Sequence, residues 1–176
     1  MTLGNTETAD AFDSQSLRRA LGFFPTGVTV VTGRDPQSHA NVGLTVSSFN
    51  SLSLSPALVI WSISSQSPSL DAFTPGRLHC VHVLHAGQVE LAKQFATKKS
   101  DKFIGVALKP VTDPQEPPQL SECVATFHCT TERLIEAGDH FLVIAAVTAF
   151  ETYEKPSLVF CKSKFLSTEL LTEIET

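Results

Sequence analysis

The chain has 176 residues, 42% of them apolar and 18% charged, the balance of one globular domain with a sizeable core. Its net charge is −5 and it has no block of lysine or arginine, which argues against nucleic acid or an anionic membrane as the main partner. The longest apolar runs, such as Phe141 to Ala146, fall far short of a membrane span, and Met1 to Asp13 resembles neither a secretory signal nor a transit peptide, so a cytoplasmic location is expected.

Residues 1–14 read as a disordered tail, 15–166 as one domain and 167–176 as a C-terminal tail. Ser14 or Ser16 is placed to cap a short helix with Leu17, Leu21 and Phe24 on one face, ended by Pro25. The β-branched run Gly27–Thr32 predicts a strand, and Arg34 to Ser38 a turn. Val42–Asn50 predicts a second strand, followed by a short break over Ser53–Pro56. Ala57–Ile63, almost wholly apolar, predicts a third strand buried on both faces. A serine-rich loop, Ser64 to Ser69, leads to a helical turn at Leu70–Phe73 that Pro75 and Gly76 stop. Leu78–Leu84 predicts a fourth strand, and Leu91, Ala92 and Phe95 lie at helical spacing within Gln88–Phe95. Asp113 to Gln119 holds three prolines and reads as loop. Ala125–Ile135 and His140–Tyr153 predict two strands joined by a turn at Glu136–Asp139, and Leu158–Cys161 a last one. From Ser167 the chain is acidic and amphipathic. The sum is a mostly β protein with a few short helices, and hairpin-like spacing favours an antiparallel barrel over a doubly wound sheet.

Several chemistries lack their signatures. No Gly-x-Gly-x-x-Gly follows a strand, and no phosphate-binding P-loop or Gly-x-Ser-x-Gly elbow is present. Carboxylates do not cluster in the apolar strands, as paired-acid glycoside chemistry requires. His79, His82 and His85 share a strand, but alternation points neighbouring members of this set to opposite faces, so no metal site is expected. Cys80, Cys123, Cys129 and Cys161 have no two-residue spacing and read as buried reduced thiols.

Two stretches are polar in an unusual place. Gly43 to Asn50 sets small hydroxyls beside large apolar residues, and Ser62 with Ser64 to Ser69 follows directly on an apolar strand. Small side chains let a flat ligand approach the backbone, whose N–H groups, with the hydroxyls, satisfy carbonyl and phosphate oxygens. A tricyclic flavin wants such a surface; solvated turns are the other reading of the same composition.

The run Leu17 to Thr32, then Gly43 to Phe49, Ser53 to Pro56, Leu91-Ala92 with Phe95-Ala96, Asp101 to Phe103 and Gly138 to His140 resembles the flavin reductase-like family over about residues 16–166. These reductases feed reduced flavin to two-component monooxygenases. The resemblance implies an FMN-binding split β-barrel, a six-stranded antiparallel Greek-key barrel, as a homodimer with flavin near the subunit interface. It implies NAD(P)H-dependent reduction of FMN, with FAD also open, and a flavin-dependent monooxygenase as partner. Carried over by position, Thr26 and Gly27 lie near the ring system, and Thr45, Val46, Ser47 and Ser48 line it. Ser53 and Ser62 lie near the ring or ribityl chain, Ser67 and Ser69 near the phosphate, Lys102 supplies the phosphate with positive charge, and Phe95 forms part of the wall. Gly138, Asp139 and His140 form the nicotinamide-binding turn, with His140 as the catalytic candidate. Ile144 to Val147 and Lys162 to Phe165 depart from the family's glycine-containing patterns. An oxidase of the pyridoxamine-phosphate type, a non-enzymatic flavin carrier or sensor, and a barrel for another ligand are the rival readings.

Overall fold

The computed structural model describes residues 13–98 and 101–170. The expected tail residues 1–12 and 171–176 lie outside them. The chain opens with α1 (Ser14–Leu21). Its N-cap is Asp13, whose carboxylate accepts the Ser16 N–H at 2.7 Å, where the sequence pointed to Ser14 or Ser16. Then come β1 (Thr26–Gly27), β2 (Thr29–Arg34), β3 (Asn41–Val46), β4 (Asn50–Leu54) and β5 (Ala57–Ser64). A 3-10 turn at Leu70–Phe73 precedes β6 (Leu78–Val83) and α2 (Val89–Ala96). The hairpin β7 (Ala125–Ala137) and β8 (His140–Thr152) follows, then β9 (Leu158–Cys161) and β10 (Lys164–Ser167).

Seven strands form one antiparallel sheet in the order β3-β2-β6-β7-β8-β5-β4. Its two edges, β3 and β4, are consecutive in the chain and joined only by Ser47–Phe49. Laid flat, seven strands span about 29 Å, whereas the link from Val46 to Asn50 reaches about 14 Å at most. The sheet therefore coils until its edges approach, giving a barrel split along one seam. The expected single strand Val42–Asn50 is broken at Ser47–Phe49 for this reason: one half ends one edge and the other half begins the opposite edge.

Val31, Val59, Trp61, Ile63, Val81, Val143 and Ala145 fill the barrel. The connection from β5 to β6 crosses the barrel's end and plugs it with Ala72 and Phe73, the latter edge-on to Trp61 at 5.0 Å. Only one face of β5 is buried, since Val59, Trp61 and Ile63 point inward while Leu58, Ile60 and Ser62 stay half-exposed. The expectation of burial on both faces fails, because the residues of β5 that alternate with Val59, Trp61 and Ile63 all keep exposure. A second cluster, Val28, Val30, Leu84, Phe95, Leu120 and Leu158, packs α2 and the small sheet β1-β9-β10 on the outside. β10 was not anticipated; its turn has Lys162 and Ser163 at φ 49° and 61°, the left-handed pair of a tight hairpin.

β6 is buried on both faces. His79 receives the Trp61 indole N–H at 3.4 Å and faces the Thr131 hydroxyl at 3.2 Å, whereas His82 lies between the hydroxyls of Thr32 (3.0 Å) and Thr126 (3.2 Å) on the opposite side. Burial pushes His79 down to about 4 and His82 to about 3. Below the ordinary value of 6.5 the unfolded chain takes up protons that the folded chain refuses, so stability falls as the pH drops. Each imidazole contributes a slope of up to about 1.4 kcal/mol per pH unit. Urea unfolding between pH 7.5 and pH 4.5 should show this decline, and His82→Gln should flatten it relative to wild type.

Candidate functional site

The seam opens into a cleft of about 710 Å³, within the size range of ligand pockets. One wall is the first half of β3, Asn41 to Leu44; another is Ser64 with the serine loop Gln66 to Ser69. Ala96 to Lys98, at the end of α2, and Lys102 with Phe103 close the third side. Gly43 is required here by space: a Cβ on it would stand 2.7 Å from Cδ1 of Phe95.

Lys102 ties these walls together. Its ammonium donates to the carbonyls of Gly43 (2.9 Å) and Phe95 (3.0 Å), the second at the C-terminal end of α2, where positive charge is favoured. Partial burial lowers its pKa from the ordinary lysine value. An ammonium has three N–H donors, so among the described residues one remains for an oxygen in the cleft. Thr45 makes a second tie, its hydroxyl donating to Ala92 O at 2.6 Å.

Outside the barrel interior, β5 presents Ser62 and Ser64 on one face, and alternation makes them a polar track along the seam. At one end the Ser62 N–H donates to the Ser48 hydroxyl at 2.9 Å, across the bend that joins the sheet edges. At the other end Ser64 pairs with His140 of β8, and directly opposed residues of an antiparallel pair share a face. The Ser65 N–H and hydroxyl both donate to Asp139 O, at 3.0 and 3.1 Å. Gly138 at φ 65° makes the two-residue turn possible. The Asp139 carboxylate lies 2.7 Å from His140 Nδ1, and this hydrogen bond holds the carboxyl below its ordinary range.

The structure thus gathers Ser67, Ser69 and Lys102 around the cleft and sets Gly138, Asp139 and His140 beside it. Ser47 and Ser48 are exposed at the bend, Val46 is buried there, and Ser53 is half-buried on β4. Thr26 and Gly27 sit on β1 in the small sheet and do not line the cleft; the Thr26 hydroxyl is buried without a partner among the described residues. Phe95 is fully buried, edge-on to Phe103 at 5.0 Å, and lies under the cleft as core. Sequence reasoning passed over Asn41, Val42, Gln66 and Phe103 as lining residues. Asn41 and Val42 flank the glycine run, Gln66 lies inside the serine run and Phe103 adjoins Lys102.

The site has no activated thiol. Burial pushes Cys80 and Cys129 up to about 12 and Cys123 to about 11, so all three stay protonated. Hydroxyls, backbone and the ammoniums of Lys98 and Lys102 suit a ligand with carbonyl and phosphate oxygens held by positioning alone.

The family model for the flavin reductase like domain matches residues 21–169. The chain belongs to this family. It is 34% identical to a probable flavin reductase of Rhizobium meliloti (strain 1021), over 93% of this chain but about half, 51%, of that protein's length. It is 32% identical to a flavin-dependent monooxygenase reductase subunit, HsaB, of Rhodococcus jostii (strain RHA1), over 92% of this chain and 81% of the relative. Among solved structures it is similar to the NADH:FAD oxidoreductase SgcE6 of Streptomyces globisporus C-1027 in complex with NAD and FAD fragments. That likeness has a TM-score of 0.79 at 32% identity, covering 88% of this chain and 92% of the other. No helix among the described residues is long and apolar enough to cross a membrane.

The contact of Gly43 with Phe95 gives a direct test of the cleft. Gly43→Ala should cost about 1–3 kcal/mol by overpacking, read as a lower urea midpoint, and should weaken flavin binding in a fluorescence titration.

Proposed function

We propose that this protein is an NAD(P)H:flavin oxidoreductase that reduces FMN, or FAD, and supplies the reduced flavin to a partner monooxygenase. The observation that carries this reading is the pairing of Ser64 with His140, which sets the Gly138–His140 turn at the rim of the serine-lined cleft. A site for two cofactors needs two adjoining recognition surfaces, and this pairing supplies them. The names of the relatives support the same reading: one solved neighbour holds NAD and FAD fragments, and one relative is a monooxygenase reductase subunit.

In this reading Ser67, Ser69 and the remaining N–H of Lys102 hold the flavin phosphate. The backbone of Thr45 to Ser48, with the hydroxyls of Ser47, Ser48, Ser53 and Ser62, faces the ring and ribityl chain. Thr26, Gly27 and Phe95 support the ring's surroundings. When bound, the flavin supplies a ring that accepts a hydride from the nicotinamide, leaving NAD(P)⁺ and, with one proton, reduced flavin. The chain's part is to orient both molecules and to stabilise negative charge with preorganised donors. His140, aligned by Asp139, orients the nicotinamide. The protein acts as a cytoplasmic homodimer. Support for the dimer is the exposure of large apolar side chains, Phe23, Phe24, Leu54 and Phe150, with Leu54 92% exposed.

The test is protein-dependent oxidation of NADH or NADPH with added FMN or FAD. Turnover supports the assignment, and its absence with every pairing in folded protein leaves a flavin-binding module instead. His140→Ala should raise KM for the pyridine nucleotide about tenfold while leaving flavin affinity near wild type, the loss of one polar contact to that substrate alone.

A further inference from the structure

Ser65 belongs to neither the cleft wall nor the hairpin turn, yet beside the Ser64–His140 strand pair it joins them. Its N–H and its hydroxyl converge on one carbonyl, Asp139 O. On one side the loop continues through Gln66 N–H to the Ser64 hydroxyl (3.3 Å), Ser67 N–H to Ser64 O (2.9 Å) and Ser69 N–H to the Ser67 hydroxyl (3.3 Å). On the other side Asp139 holds the His140 ring. A hairpin turn whose side chains are exposed has few means of fixing its tip, and Asp139 itself is exposed.

We infer that Ser65 is a positioning residue: it latches the Gly138–His140 turn to the serine loop, and through Asp139 it sets the His140 ring for the pyridine nucleotide. This rests on the reductase reading and adds a residue outside both recognition surfaces. The latch also joins the two surfaces physically, so that ordering the serine loop around a flavin steadies the turn.

The experiment uses the full chain and compares wild type, Ser65→Ala, Ser65→Thr, His140→Ala and the double variant Ser65→Ala/His140→Ala. Ser65→Ala keeps the N–H bond and removes the hydroxyl, so the fold is retained and a melting curve checks this. KM for NADH should rise about fivefold, the worth of one neutral hydrogen bond, with KM for flavin within about twofold of wild type. Ser65→Thr should restore the wild-type value. In the His140→Ala background Ser65→Ala should add nothing further, because its effect passes through that ring. The His140 ring proton resonances should move in Ser65→Ala with or without turnover, which a general loss of stability does not produce. Equal increases in both KM values, additive effects in the double variant, or unmoved His140 resonances would overturn the latch. A wild type that oxidises no pyridine nucleotide retires the reductase reading, whereas an active wild type with an indifferent Ser65→Ala retires only the latch.

Discussion

Everything in this fold follows from the shortness of one link. Ser47–Phe49 connects the two outer strands of a seven-stranded sheet, and no flat sheet allows that. Coiling brings the edges together without pairing them, and the seam between them is where the cleft lies. Edge strands normally carry unpaired N–H and C=O groups that invite association. Here α2 covers part of β3, Thr45 bonds to Ala92 O, and Lys102 takes the Gly43 carbonyl. What stays open along the seam is the cleft, with Gly43 and the serines among its lining residues.

The interior is fixed by hydrogen bonds as well as apolar packing. Trp61, His79 and Thr131 tie β5, β6 and β7 through the barrel, and Thr32, His82 and Thr126 tie β2, β6 and β7 on the outer side. A buried polar group is tolerable only when its partners are in place, and each of these imidazoles has one on both ring nitrogens. The two sets sit back to back on β6, and this is why that strand tolerates two fully buried histidines.

Local patterning made most elements legible in the sequence. The β7–β8 hairpin, α2 and the turn at Leu70–Phe73 follow from alternation, helical spacing and turn residues, and each lies where those signals put it. What was not legible depends on distant partners. The break at Ser47–Phe49 follows from which edges β3 and β4 occupy. The half-exposure of one face of β5 depends on what packs over it, and Ala57–Ile63 is as apolar as a fully buried strand. Residue type picked out Thr45 and the family resemblance Lys102, but neither could show that the Thr45 hydroxyl is spent on Ala92 O. Nor could they show that Lys102 holds two carbonyls. The pairing of Ser64 with His140 joins segments far apart in the chain, and only the strand order creates it.

The chemistry of the site matches this origin. A reaction that needs a nucleophile demands a specific side chain with a tuned pKa, and such residues stand out in a sequence. The described cysteines with resolved shifts move the other way, toward inert thiols, and His79 and His82 are neutral parts of the core. What the cleft offers is backbone, hydroxyls and one held ammonium at positions set by the coiling of the sheet. Serine and glycine at those positions are chosen for being small, so that the ligand's fit is decided by the backbone. A substitution that disturbs the seam therefore acts on the site even when it touches no ligand, and Gly43, pressed between the cleft and Phe95, is where barrel packing and ligand space are the same quantity.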